Sequence, residues 1–165
     1  MFRLIPVRPL SILVTTMLVI SGATAAMADG HETAGAEIKY RQSVMSIVGT
    51  HMGAVGAILK NRLNVPGAIE QHANQMAESA ALIAPAFKKR LTEGATDAKA
   101  EIWADWAKFE AAIGDYETAS RNLATAAASN DSAAVGKAVR ALGKSCGGCH
   151  KPFRKPKEES YKNND

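Results

Sequence analysis

Apolar residues recur in alternating three- and four-residue steps over four stretches of this chain, the period of helices that bury one face. In the first stretch, about 34–62, the stripe is Ile38, Met45, Val48, Met52, Val55 and Leu59. Asn64-Val65-Pro66 predicts a turn and a helix start, with the proline in the first turn. The second stretch, 66–84, sets Ile69, Ala73, Met76, Ala80 and Ile83 on one face. Pro85 is expected to kink or end it, because proline removes a backbone donor and crowds the preceding turn. Residues 86–91 then read as an irregular turn with Phe87 and Leu91 facing inward, and Glu93-Gly94-Ala95 as a loop. Asp97 is the expected cap of a third helix bearing Ile102, Trp106, Phe109, Ile113, Tyr116 and Leu123. Ser129-Asn130-Asp131-Ser132 reads as loop and cap before a fourth stripe of Val135, Val139, Leu142 and Cys146. Alanine is abundant and alternating β-branched sequence is scarce, so helix is the default throughout. Four amphipathic helices with short connections predict an all-α fold, an antiparallel four-helix bundle.

One residue breaks the first stripe. Arg41 falls on the seam, where an unpaired guanidinium costs several kcal/mol to bury. It needs a counter-charge, water or a path along which its stem can snorkel outward. A bound carboxylate would be a natural bidentate partner.

The N-terminus adds a different pattern. Arg3 and Arg8 precede an apolar run over Leu10–Ile20, and Ala26-Met27-Ala28 is a small-x-small cleavage sequence. These three parts predict a secretory leader over 1–28, with the mature chain, 29–165, beginning near Asp29. The apolar run is short for a bilayer span, so no stable membrane insertion is expected after cleavage. The expected compartment is the periplasm. Loss of Arg3 and Arg8 takes 20 basic against 16 acidic residues to 18 against 16, so the whole-chain pI of about 9.1 overstates the basicity. No basic helix with interleaved aromatics occurs, which argues against nucleic acid as a partner. No nucleophile–base pair or acidic dyad is evident, so the chain does not read as an enzyme. The Lys151–Lys157 segment is locally basic and leads into a short polar tail from about 157, expected to be solvated and able to orient a partner.

The fourth stripe runs into Cys146-Gly147-Gly148-Cys149-His150. Cys-x-x-Cys-His is the spacing of a c-type haem attachment site. On a helix, positions 146, 149 and 150 share one face, so two sulfurs and an imidazole converge. A thioredoxin-like pair would require a βαβ context, and a closed zinc site would require four ligands where only His31, His51 and His72 remain. A disulfide across two residues would close a very small loop and contribute little. Continuity of the apolar seam with the motif predicts one haem c per chain, held between helices and attached to the C-terminal one.

These residues together resemble the class II cytochromes c, the cytochrome c-prime group, over essentially all of 29–165. The matching pieces are Lys39-Tyr40-Arg41-Gln42-Ser43, Glu101-Ile102-Trp103, and Cys146 to His150 followed by Arg154. The resemblance implies covalent haem at Cys146 and Cys149, and His150 as the proximal ligand. It also implies a propionate partner in Arg41, a basic neighbour of the proximal histidine in Arg154, and a homodimer through the first two helices. Pro152 departs from the pattern. It cannot donate to the Gly148 carbonyl, so the helix is expected to kink or stop and the direction of Arg154 is left open.

In that family the sixth iron position is faced from the first helix, four residues after the arginine, which is Met45 here. Two outcomes stand. If the Met45 sulfur binds iron, the haem is low-spin and suited to single-electron transfer with periplasmic redox partner proteins. If Met45 only packs over the haem, the iron is five-coordinate and open to nitric oxide or carbon monoxide. His51 and His72 read as surface or seam-edge histidines, and His31 lies near the new N-terminus.

Overall fold

The computed structural model describes residues 23–163 apart from Asn130, with side chains described from Glu32 onward. The expected leader lies outside the described residues through residue 22, and its last residues continue as backbone of the first helix. Five helices follow in order: α1 Ala23–Asn61, α2 Ala68–Phe87, a short α3 Glu101–Ala104, α4 Trp106–Ala128 and α5 Ser132–Phe153. Two 3-10 turns, Lys157–Glu159 and Tyr161–Asn163, end the described chain. No strand occurs among the described residues, only an isolated antiparallel bridge between Ala98 and Arg154. α1, α2, α4 and α5 form the four-helix bundle that the apolar periodicity predicts.

The order of packing decides where a site can form. α1 packs on α2, α2 on α4 and α4 on α5, whereas α1 and α5 share no extensive direct contact. The core fills the first three seams with Val44, Val55, Ala73, Met76, Ile83, Phe109, Leu123 and Leu142. Met76, Leu123 and Leu142 are fully buried. Within α1 the buried face is centred differently from the predicted stripe. Val44 is buried, Met45, Val48 and Met52 are only half-buried, and Leu59 is exposed. The difference arises because α1 has a close helical neighbour on one side only.

Three boundaries differ from the sequence expectation, each for a local reason. Pro66 lies outside α2, because Gly67 in the left-handed region (φ 74°) turns the chain before Ala68. Pro85 does not stop α2, which runs on to Phe87; a proline this near the end removes only one bond, and Lys88 N–H still closes the last turn on the Pro85 carbonyl at 3.3 Å. The third predicted helix is broken at Asp105 (φ −135°, ψ 70°), whose carboxylate caps α4 by accepting from Lys108 N–H at 3.1 Å. The fourth helix starts as expected, with Asp131 accepting from the N–H groups of Ala133 and Ala134.

Asp97 is not a helix cap. It is the hub that fastens the C-terminal segment, which is exposed along most of its length but anchored through Phe153 and Ser160, both buried. Its carboxylate accepts from Arg154 at 3.1 Å, from the Ser160 hydroxyl at 3.1 Å and from Tyr161 N–H at 3.1 Å. Its carbonyl accepts from Lys155 N–H at 2.7 Å, and Lys99 N–H donates to the Phe153 carbonyl at 3.0 Å. Burial alone would raise the Asp97 pKa, but the hydrogen bonds from Tyr161, Arg154 and Ser160 outweigh it and hold the carboxyl below its ordinary range.

This fixes the sign of a pH effect. A lowered folded-state pKa contributes stability that is complete above about pH 4 and is lost as pH falls through the lowered value. The stability difference between the haem-loaded protein and its Asp97→Asn variant should therefore be constant above about pH 4 and close in stronger acid. Thermal unfolding across that range checks it; a gap that persists unchanged into strong acid would refute the role.

Candidate haem site

The unclosed side of the bundle, between α1 and α5, holds a cavity of about 740 Å³, within the usual range for cofactor sites. α1 supplies one wall with Met45, Val48, Gly49 and Met52, and α5 faces it with Cys146, Cys149, His150 and Phe153. Ile83 from α2 and Phe109, Ile113 and Tyr116 from α4 form the back. A Cβ added at Gly49 would meet nothing within 4 Å, so α1 is open one turn beyond Met45. The aromatic back wall is itself packed, with Phe109 against Phe87, Trp106 and Phe153 at centroid distances of 5.3, 5.5 and 5.3 Å. Tyr116 satisfies its hydroxyl by donating to the Met76 carbonyl at 2.9 Å.

α5 remains helical through Pro152 and ends at Phe153, with Arg154 N–H donating to the His150 carbonyl at 2.9 Å. The helix thus stops one residue past Pro152, within the expected kink or stop, and Cys146, Cys149 and His150 lie before that end on the shared face of one helix. Burial raises both thiols, Cys149 to about 11 with repulsion from Cys146 as the second cause. Neither sulfur is a thiolate near neutral pH, which disfavours redox-thiol chemistry here. His150 is exposed toward the cavity. Desolvation by the surrounding protein and then the Arg154 charge lower its pKa, favouring the neutral ring that can act as a ligand.

Arg41 has partners that sequence reasoning missed. It is buried at the cavity edge, and its Nε–H donates to the Ala86 carbonyl at 2.8 Å, Nη1 to Leu91 at 3.0 Å and Nη2 to Lys89. Its guanidinium lies between the rings of Phe87 and Trp103, at 5.1 and 5.2 Å. Trp103 in turn donates Nε1–H to the Phe87 carbonyl at 2.7 Å. Ala86 and Phe87 end α2, where carbonyls lack helical partners and the helix dipole is negative. A seam arginine is thus satisfied by the end of the neighbouring helix and the connection after it. Three of its five donors are used, so it still has donors for an anion in the cavity. Arg154, directed to Asp97, lines the same cavity.

The residues fit haem. The cavity is apolar, flat-walled beside Gly49, edged by cations and entered by two thiols and an imidazole from one helix face. Comparison with known proteins decides the family. The family model for cytochrome C' matches residues 36–154. The chain belongs to the cytochrome c' family. It is 38% identical to cytochrome c' of Rhodospirillum rubrum over 120 residues, covering 72% of this chain and 82% of that one. Its fold is similar to cytochrome c prime from Shewanella frigidimarina, with a TM-score of 0.68, 29% identity, and coverage of 74% and 97%. A variant of cytochrome c prime from Alcaligenes xylosoxidans, solved as its nitric oxide complex, superposes with a TM-score of 0.66 at 30% identity, covering 75% and 97%. Cytochromes c' bind haem c covalently, and Cys146 and Cys149 of the Cys-x-x-Cys-His motif are the attachment cysteines of this cytochrome c' chain.

The Arg41 geometry makes a stability prediction. Arg41→Ala strands carbonyls at the end of α2 and removes a cation from between two rings. It should lower the unfolding free energy of the haem-loaded protein by roughly 3 kcal/mol. Arg41→Lys should recover less than half, since one ammonium cannot match the planar fork. Denaturant unfolding followed at the haem band measures both.

Proposed function

We propose that this cytochrome c' chain is a periplasmic single-electron carrier in which His150 and Met45 would hold the haem iron. The observation that carries the reading is the position of Met45. It lines, from α1, the same cavity that α5 enters with Cys146, Cys149 and His150. Haem bound there would supply one-electron chemistry at its iron. Cys146 and Cys149 would hold the haem covalently to α5. His150, kept neutral, would offer its ring from α5, and Met45 a soft thioether donor from α1. The apolar wall of Val48, Met52, Ile83 and Phe109 excludes water, so charge change at the centre costs little solvent reorganisation.

Arg41 and Arg154 are the cavity-edge cations that would face the propionates and the proximal side. The 1–28 leader would direct the chain to the periplasm, and cleavage before Asp29 would shorten α1 at its start. Exposed Tyr40, Ile47 and Leu59 on α1 and Leu82 on α2 support a homodimer through these helices. The Glu32–Asn61 part of α1 is long and apolar enough to cross a membrane by length and composition, yet one side of it is packed on α2, which favours cover by a second copy. The exposed Lys151 and Lys157 beside the haem-bearing helix would steer an acidic redox partner.

A second reading has its own support. The Alcaligenes relative was solved with nitric oxide bound, and Gly49 leaves open space beside Met45. If Met45 only packs, the site is a five-coordinate haem that binds nitric oxide or carbon monoxide.

Absorption spectra of the oxidised and reduced protein, with and without carbon monoxide, separate the two. Electron transfer predicts narrow low-spin bands that ignore the gas, and a Met45→Leu variant converted to a high-spin, gas-binding form. A native protein that is already high-spin and shifts with carbon monoxide would replace the first reading by the second. The midpoint potential of Arg41→Ala should move from the parent value; an unchanged potential would leave Arg41 as a brace for α2 and remove the propionate role.

A further inference from the structure

His51 on α1 and His72 on α2 stand apart from everything described so far. Neither lines the haem cavity, and each looks like an edge residue when its own helix is considered alone. Packing of the two helices brings their Nδ1 atoms to 2.9 Å, with ring centroids 5.2 Å apart and planes tilted by 53°. Both rings are half-buried. At this distance one Nδ1–H donates and the other Nδ1 accepts, so the rings share a single proton between them.

We propose that His51 and His72 form a two-histidine site for one divalent d-block cation, copper foremost, at the α1–α2 seam and separate from the haem. Imidazole suits copper, nickel and zinc, and affinity in this series is highest for copper. The spacing lets one ion reach both rings: the nitrogens now lie 2.9 Å apart, and two nitrogens roughly 2.0 Å from a metal on adjacent positions lie about 2.8 to 3.3 Å apart. The two backbones are already packed helices, so only side-chain rotation is needed to turn the ring lone pairs from each other toward an ion.

The proton balance closes without an added reagent. The ring that donates through Nδ1 moves that proton to its own Nε2 by way of solvent, and both Nδ1 lone pairs become available with no net release. Desolvation, with repulsion from His72 second, lowers the His51 pKa, so the neutral ring dominates near neutral pH. Among the described residues no third histidine, cysteine or carboxylate completes a metal-binding group. The remaining positions go to water, which makes the site open and exchangeable rather than structural.

The test uses the haem-loaded mature protein in a His31→Gln background, because a free α-amine with histidine in third place chelates copper on its own. Cupric ion is titrated against glycine as competitor, with calorimetry and electron paramagnetic resonance as readouts. One copper per chain is expected, with hyperfine structure from two imidazole nitrogens and an unchanged haem spectrum. His51→Gln and His72→Gln should each weaken binding by at least about tenfold. No uptake, or uptake equal in the double variant, would overturn the site. A measurement without substitution guards against a disturbed seam. Zinc should protect His51 and His72 from diethyl pyrocarbonate, mapped by mass spectrometry, and protection confined to other residues would also overturn it.

Discussion

The structure depends on a seam that the protein does not close by itself. α1, α2, α4 and α5 pack in sequence, each on the next, and the last seam of the bundle, between α5 and α1, is a cavity. Met45, Val48 and Met52 are half-buried for this reason, although they continue the stripe that Val44 and Val55 bury fully. In a bundle that closed on itself these residues would interdigitate with α5. Here they and Cys146 and Cys149 line one cavity, and haem held there would belong to the core as much as to the site.

Polar groups hold that gap open at one end. α2 finishes beside the cavity with carbonyls that no helical N–H can reach, and Arg41 and Trp103 satisfy them from α1 and α3. The guanidinium then supports the connection 86–91 through Leu91 and Lys89 while lying between two aromatic rings. Asp97 gathers Arg154, Ser160 and Tyr161, binding the segment after α5 to the segment before α3. The two polar knots line one cavity. Each uses a charged group whose partners come from segments distant in sequence, and each leaves a cation at the cavity edge.

Much of this was legible in the chain. The four apolar stripes, the Asp131 cap and the Cys146–His150 motif are local patterns, and local patterns translate directly into helices and a shared face. Pro152 is followed by the helix end one residue later, as its chemistry predicts, whereas α2 runs past Pro85 to Phe87 because a proline near a helix end removes only one bond. Asp97 was misread because its sequence neighbourhood looks like a helix start, and its real partners lie more than fifty residues away. His51 and His72 were each assigned to an edge correctly, but that they meet depends on the rotation and register of α1 against α2.

The sequence by itself determined the helical class, the cofactor chemistry and the face of α5 that presents it, because spacing at i, i+3 and i+4 is enough to set two sulfurs and an imidazole together. Only the tertiary structure decided what satisfies Arg41, what Asp97 fastens, which side of the bundle remains open and which histidines pair. Those outcomes rest on distances between segments far apart in the chain, and periodicity within one helix carries no information about where another helix ends.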